Sequence, residues 1–235
     1  DYPKRIIRSL RSQRDGTAFD VPVCTIVVVG DSRSASNRDD RLGKTQLCTR
    51  LRGQAVLPPG GSDVTRGFER HHAVFTATDN SRTTRAVECV LMDFGGQKEL
   101  LSAHRFFLGT RLVYVICIDA RESLASTRVL HWLNTARVNS LARGQPEHDR
   151  RHPPCVIVET HTGPRSKRGY RITDLKTIVD QYQASCGTAP PIEIVDSYDN
   201  YDDPDGEGLA RVRAAVGRCL TSAGVFGSGF DRLSS

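Results

Sequence analysis

Three observations predict a three-layer α/β fold with a mainly parallel sheet. Short apolar, β-branched runs alternate with segments of helical period along the chain. The first run, Val21–Val29, is apolar almost throughout, as in a strand covered on both faces. It ends at Gly30, and Gly43-Lys44-Thr45 then opens the first helical segment. Strand, glycine turn and helix N-terminus thus come in the order of a phosphate-binding loop.

The elements follow in sequence. After Lys44, Leu47, Cys48 and Leu51 share one helical face. Residues 53–66 are rich in Gly, Pro and Ser and form a loop. Phe68–Ala77 and Arg85–Asp93 read as two strands around the turn Asp79-Asn80-Ser81, a hairpin whose first strand is an antiparallel sheet edge. Leu112–Asp119, Cys155–Glu159 and Ile192–Val195 are further short strands. Between them lie a helix over Leu124–Leu141 carrying Trp132, a stripe of Leu175, Ile178, Val179 and Tyr182, and a stripe of Leu209, Val212, Val216 and Leu220. Residues 142–154 are polar and contain proline, which suits a loop. Residues 1–20, basic and with Ile6, Ile7 and Leu10 spaced for one short helix, are read as an N-terminal linker. Residues 224–235, Gly- and Ser-rich, are read as a flexible tail, which leaves 21–223 as one domain. A first residue of Asp rather than Met suggests a piece of a longer chain.

Composition narrows the function. The net charge of +6 could serve nucleic acid or an acidic partner, but the arginines are scattered through loops, so a basic solvated surface is expected and no nucleic-acid site. The seven cysteines, Cys24, Cys48, Cys89, Cys117, Cys155, Cys186 and Cys219, show no Cys-x-x-Cys spacing and sit mostly in apolar runs. They are expected to be reduced, buried thiols in a cytoplasmic protein, without a disulfide framework or zinc site. No apolar run reaches the length of a membrane span. His71 and His72 are neighbours on a strand, so their rings should point to opposite faces and form no paired site.

Two motifs carry chemistry. With residues 34–41 set aside, the first reads Gly30-Asp31-Ser32-Arg33-Leu42-Gly43-Lys44-Thr45-Gln46. In such a loop the helix N-terminus favours an anion, Lys44 reaches the terminal phosphates and the Thr45 hydroxyl ligates Mg²⁺. The second motif is Asp93-Phe94-Gly95-Gly96-Gln97, at a strand end. Asp93 can hold Mg²⁺ through a water, the Gly96 amide can approach a γ-phosphate because no side chain intervenes, and Gln97 can orient a water for in-line attack.

Asp93–Gln97, followed by Ala103-His104-Arg105-Phe106-Phe107 and then Val113–Asp119-Ala120-Arg121, resembles the Roc family, the Ras-of-complex GTPase domains of Roco proteins, which include the leucine-rich-repeat kinases. The resemblance covers roughly residues 21–223. It implies a Ras-like P-loop fold, GTP or GDP and Mg²⁺ as ligands, slow GTP hydrolysis as a signalling switch, and a parent protein with a COR dimerisation domain and leucine-rich repeats. It also implies site residues. Thr65, in Thr65-Arg66-Gly67-Phe68, stands where the first switch threonine meets Mg²⁺ and the γ-phosphate, which makes Gln97, Lys44 and Thr65 the catalytic set. Thr160 and His161, followed by Thr162-Gly163, occupy the base-reading motif, and Ser197 the last base contact.

Two departures from the pattern leave a second reading open. Gly163 stands where the family has the aspartate that accepts the guanine N–H groups. Donors left without that acceptor cost about 1–3 kcal/mol. The eight residues Ser34–Arg41 interrupt the phosphate loop. The longer closure costs only about 1 kcal/mol, but a disturbed nest of amides would cost more. The alternative is therefore a pseudo-GTPase interaction module with weak or absent nucleotide binding. An ATP-selective P-loop protein is a third and less favoured reading.

Overall fold

A computed structural model of the chain describes residues 24–30, 43–55, 68–78, 82, 84–94, 112–141, 152–163, 167–186, 191–196, 198 and 206–221. The expected linker (1–20), tail (224–235) and inserted segment (34–41) lie outside the described residues.

The strands are β1 (Cys24–Val29), β2 (Phe68–Thr78), β3 (Thr84–Phe94), β4 (Leu112–Asp119), β5 (Cys155–Thr160) and β6 (Ile192–Val195). The helices are α1 (Lys44–Leu51), α2 (Val129–Leu141), α3 (Ile172–Ser185) and α4 (Glu207–Thr221). The strands form one sheet in the order β2-β3-β1-β4-β5-β6. The apolar run of β1 is explained by its neighbours, because β3 and β4 flank it in parallel on either side. β4 and β5 are buried along their whole length for the same reason. The expected hairpin forms, with β2 antiparallel to β3 from Phe68↔Phe94 to Thr78↔Thr84, and β2 is an edge. Its turn residues Asp79, Asn80 and Ser81 lie outside the described residues.

Alternation along the strands divides the core in two. Ile26, Val28, Phe75 and Leu91 face α1 and α4, joined by Leu47, Leu51, Val212 and Val216. Val27, Val29, Tyr114 and Ile116 face α2 and α3, joined by Trp132, Leu133, Leu175 and Val179. The expected helical stripes are therefore the buried faces, and the result is a Ras-like three-layer α/β fold.

α2 begins later than the expected Leu124. Residues 123–128 form turns instead, because the Ser123 and Ser126 hydroxyls bond each other at 2.7 Å and Thr127 Oγ1 donates to the Leu124 carbonyl at 2.7 Å. Short hydroxyl side chains offer the backbone such alternatives to a helix. Arg128 is left-handed, with φ 52°, and ends the turn segment.

α4 lies close over the sheet. A Cβ added at Gly217 would come within 2.3 Å of the Thr76 carbonyl, so only glycine permits this approach. From α4, Arg213 donates to the carbonyls of Leu51 and Val74, both at 2.6 Å, and lies over the Phe75 ring. Arg218 forms a two-pronged pair with Glu193 of β6 at 2.8 and 2.9 Å.

All seven cysteines are free thiols, and six are buried. Burial pushes Cys117 up to about 12, which leaves it an unreactive thiol. His71 and His72 have separate partners, Glu69 at 3.2 Å and Glu88 at 3.7 Å, as their opposite faces require. No helix among the described residues is long and apolar enough to cross a membrane.

Candidate functional site

Every parallel strand points its C-terminal end at one edge of the sheet, where an open α/β fold binds its ligand. That edge gathers Gly30 after β1, Asp93 near the end of β3, Asp119 ending β4 and Thr160 ending β5.

The phosphate side is built from β1, α1 and β3. Gly30 (φ 153°) and Gly43 (φ 76°) both adopt backbone conformations that favour glycine, and Gly43 is the residue from which α1 starts. The first intrahelical bond runs from Leu47 N to the Gly43 carbonyl at 2.9 Å. The amides of Lys44, Thr45 and Gln46 precede that bond, at the positive end of the helix dipole. The Gln46 side chain itself is buried. Lys44 is also buried, and its ammonium donates to the Gly30 carbonyl at 3.0 Å, back across the mouth of the loop. An ammonium has three donors, so a single lysine can bond a carbonyl and a phosphate together.

Thr45 Oγ1 donates to Asp93 Oδ2 at 2.7 Å, although the two residues are 48 positions apart. β1 and β3 set this meeting, because their parallel register puts Asp93 beside Val28. Asp93 is fully buried. Burial pushes its carboxyl above the ordinary value, while the Thr45 hydroxyl and the Lys44 charge pull it down. A hydroxyl and a carboxylate this close form a hard oxygen donor set of the kind Mg²⁺ takes, and a bound divalent cation would favour the ionised carboxylate. The residues fit the metal that the sequence motifs imply. Among the described residues no group of three or more His, Cys, Asp or Glu offers a different metal site.

The side on which the sequence puts the base-reading motif is built from the chain leaving β4, β5 and β6. Thr160 is fully buried. Its hydroxyl donates to the Ile118 carbonyl at 3.2 Å, and its own carbonyl accepts from Ala120 N at 3.1 Å. His161 is left-handed, with φ 57°, and nearly buried. Thr162 Oγ1 donates to the Tyr198 carbonyl at 2.9 Å, which joins the segment after β5 to the segment after β6. Asp119 is bound by Arg121 through its backbone amide (2.9 Å) and both arms of its guanidinium (3.0 and 2.8 Å).

Of the sequence-derived set, the structure brings Gly30, Gly43, Lys44, Thr45, Gln46 and Asp93 together, with Thr160 and His161 on the same sheet edge. Asp31, Thr65, Gly96, Gln97 and Ser197 lie outside the described residues. Sequence reasoning missed Glu159, a fully buried carboxylate just before Thr160 that accepts bonds from Arg168 and Tyr170. The available signal was a charged residue closing the otherwise apolar run Cys155–Val158.

A model of the family described as Ras of Complex, Roc, domain of DAPkinase matches residues 25–147. That span holds β1 from Thr25 onward, α1, β3, and β4 with the segment that leaves it, and it ends before β5 and β6. The Lys44–Gly30 and Thr45–Asp93 pairs are thus set on a Ras-like sheet inside the matched region, and the chain belongs to the Roc family of Ras-like GTPase domains, with the guanine-nucleotide binding that the family implies.

Proposed function

We propose that this domain binds GTP and GDP with Mg²⁺ and hydrolyses GTP slowly, as a regulatory switch within a larger cytoplasmic Roco protein. The observation that carries this reading is the contact of Thr45 Oγ1 with Asp93 Oδ2 beside the buried Lys44. It joins the two phosphate motifs, 48 residues apart, at one point. Thr45 and Asp93, with Thr65, would hold Mg²⁺, which when bound neutralises charge on the phosphates. Lys44 draws the terminal phosphates onto the N-terminus of α1. Gln97 orients the attacking water, and the Gly96 amide leaves room for the γ-phosphate. Asp31 and Gly43 line the loop, and Thr160, His161 and Ser197 contact the base. A neighbouring COR domain would supply the dimer contact, and leucine-rich repeats of the parent protein would be the other covalent neighbours.

Calorimetry with Mg²⁺–GDP and Mg²⁺–GTP tests this. Saturable binding is expected. Absence of binding at high micromolar nucleotide would overturn it in favour of a pseudo-GTPase interaction module. A specific feature favours that second reading, namely Gly163 in place of a base-reading carboxylate. Turnover separates the two further: Gln97→Ala should abolish GTP hydrolysis while leaving GDP affinity intact, and unchanged turnover would remove Gln97 from the water-positioning role.

A further inference from the structure

A fully buried carboxylate that the phosphate and base motifs do not use is Glu159. A buried carboxylate is tolerated only when paired and hydrogen-bonded. Both of its oxygens are engaged. Arg168 Nη1 donates to Oε2 at 2.7 Å, and the Tyr170 hydroxyl donates to Oε1. Burial, and next the bond to Glu159, push the Tyr170 phenol up, so it stays a donor. Arg168 continues through Nη2 to the carbonyl of Asp196 at 2.5 Å.

The position of these groups gives them a role. Glu159 immediately precedes Thr160, and Asp196 immediately precedes Ser197. One carboxylate and one guanidinium therefore tie the chain leaving β5 to the chain leaving β6. The same segment reaches the chain leaving β4, because Gly169 N donates to the Ala120 carbonyl at 2.8 Å. The approach there is so close that a Cβ on Gly169 would lie 2.1 Å from the Glu122 carbonyl. The Thr162–Tyr198 and Ala120–Thr160 bonds complete the cross-linking of the three strand ends.

We propose that Glu159, Arg168 and Tyr170 are positioning residues that fix the segments after β4, β5 and β6 in the arrangement that receives the purine of a bound nucleotide. The proposal rests on the nucleotide-binding reading above and extends it to residues that touch no ligand. Gly163 makes the role sharper, because a base site lacking its carboxylate depends more on the shape of its walls.

The test uses Arg168→Met and the milder Tyr170→Phe, each in the whole chain. Hydrogen exchange on nucleotide-free protein should show the amides of Ala120 and Gly169 exchanging about tenfold faster in the variants, with the α1 amide of Leu47 within about twofold of wild type. Affinity for GDP should fall about tenfold, while the Mg²⁺ concentration that half-saturates GDP binding stays the same. Unchanged exchange at Ala120 and Gly169, acceleration spread equally into α1, or unchanged GDP affinity in both variants would overturn the proposal and leave the nucleotide-binding reading standing. A wild-type domain that binds no GDP would overturn that reading and this proposal with it.

Discussion

The two halves of the sheet edge are joined by different kinds of residue. At the start of α1 the motif residues bond one another, Lys44 to the Gly30 carbonyl and Thr45 to Asp93. At the ends of β5 and β6 the bonds come instead from Glu159, Arg168 and Tyr170, which no motif names, together with Thr160 and Thr162. Matching a motif and being held in shape are separate properties.

Breaking the phosphate side should have the largest effect. Lys44→Ala removes a charged donor from the mouth of the loop and should weaken GDP about 100-fold by calorimetry. A loss of less than about threefold would place phosphate binding elsewhere. Thr45→Val keeps the shape of the side chain but removes the hydroxyl that faces Asp93. It should cost about tenfold in GDP affinity at saturating Mg²⁺, and more as Mg²⁺ is lowered.

The base side can be sharpened by adding what it lacks. Gly163→Asp should raise the preference for GTP over ATP by about tenfold in a displacement assay. Equal displacement by the two nucleotides in wild type, unaltered by the variant, would show that Gly163 does not face the base.

The smallest effect concerns Asp119. Burial pushes its carboxyl up, but the Arg121 bonds outweigh this and hold it below the ordinary 3.8. A folded value below the unfolded one adds stability above the ordinary carboxylate range, and that stability is lost as pH falls through the folded value. Unfolding monitored below about pH 4 should therefore show a steeper loss in wild type than in Asp119→Asn. Parallel pH profiles would mean the Arg121 bonds do not persist in solution.

The same contrast explains what the sequence disclosed. Local rules were enough for β1, whose apolar run required cover on both faces, and for the stripes of α3 and α4. They were also enough to place Gly43-Lys44-Thr45 at the start of α1 and Asp93 near the end of β3. The start of α2 was misjudged because Ser123, Ser126 and Thr127 satisfy one another in turns, which an apolar stripe does not reveal. The Glu159 network was hidden for a different reason. Its partners lie nine and eleven residues downstream, across a loop, and the Arg168 guanidinium then reaches a backbone carbonyl 28 residues further on. A carbonyl acceptor leaves no trace in residue type, so only the folded chain reveals it.

The position of α4 has a consequence for the two edges of the sheet. The helix crosses the sheet and sets an arginine at each margin, Arg213 on the Val74 carbonyl of β2 and Arg218 on Glu193 of β6. The helix that seals one face of the core thus also ties the two edge strands of the sheet to a single element.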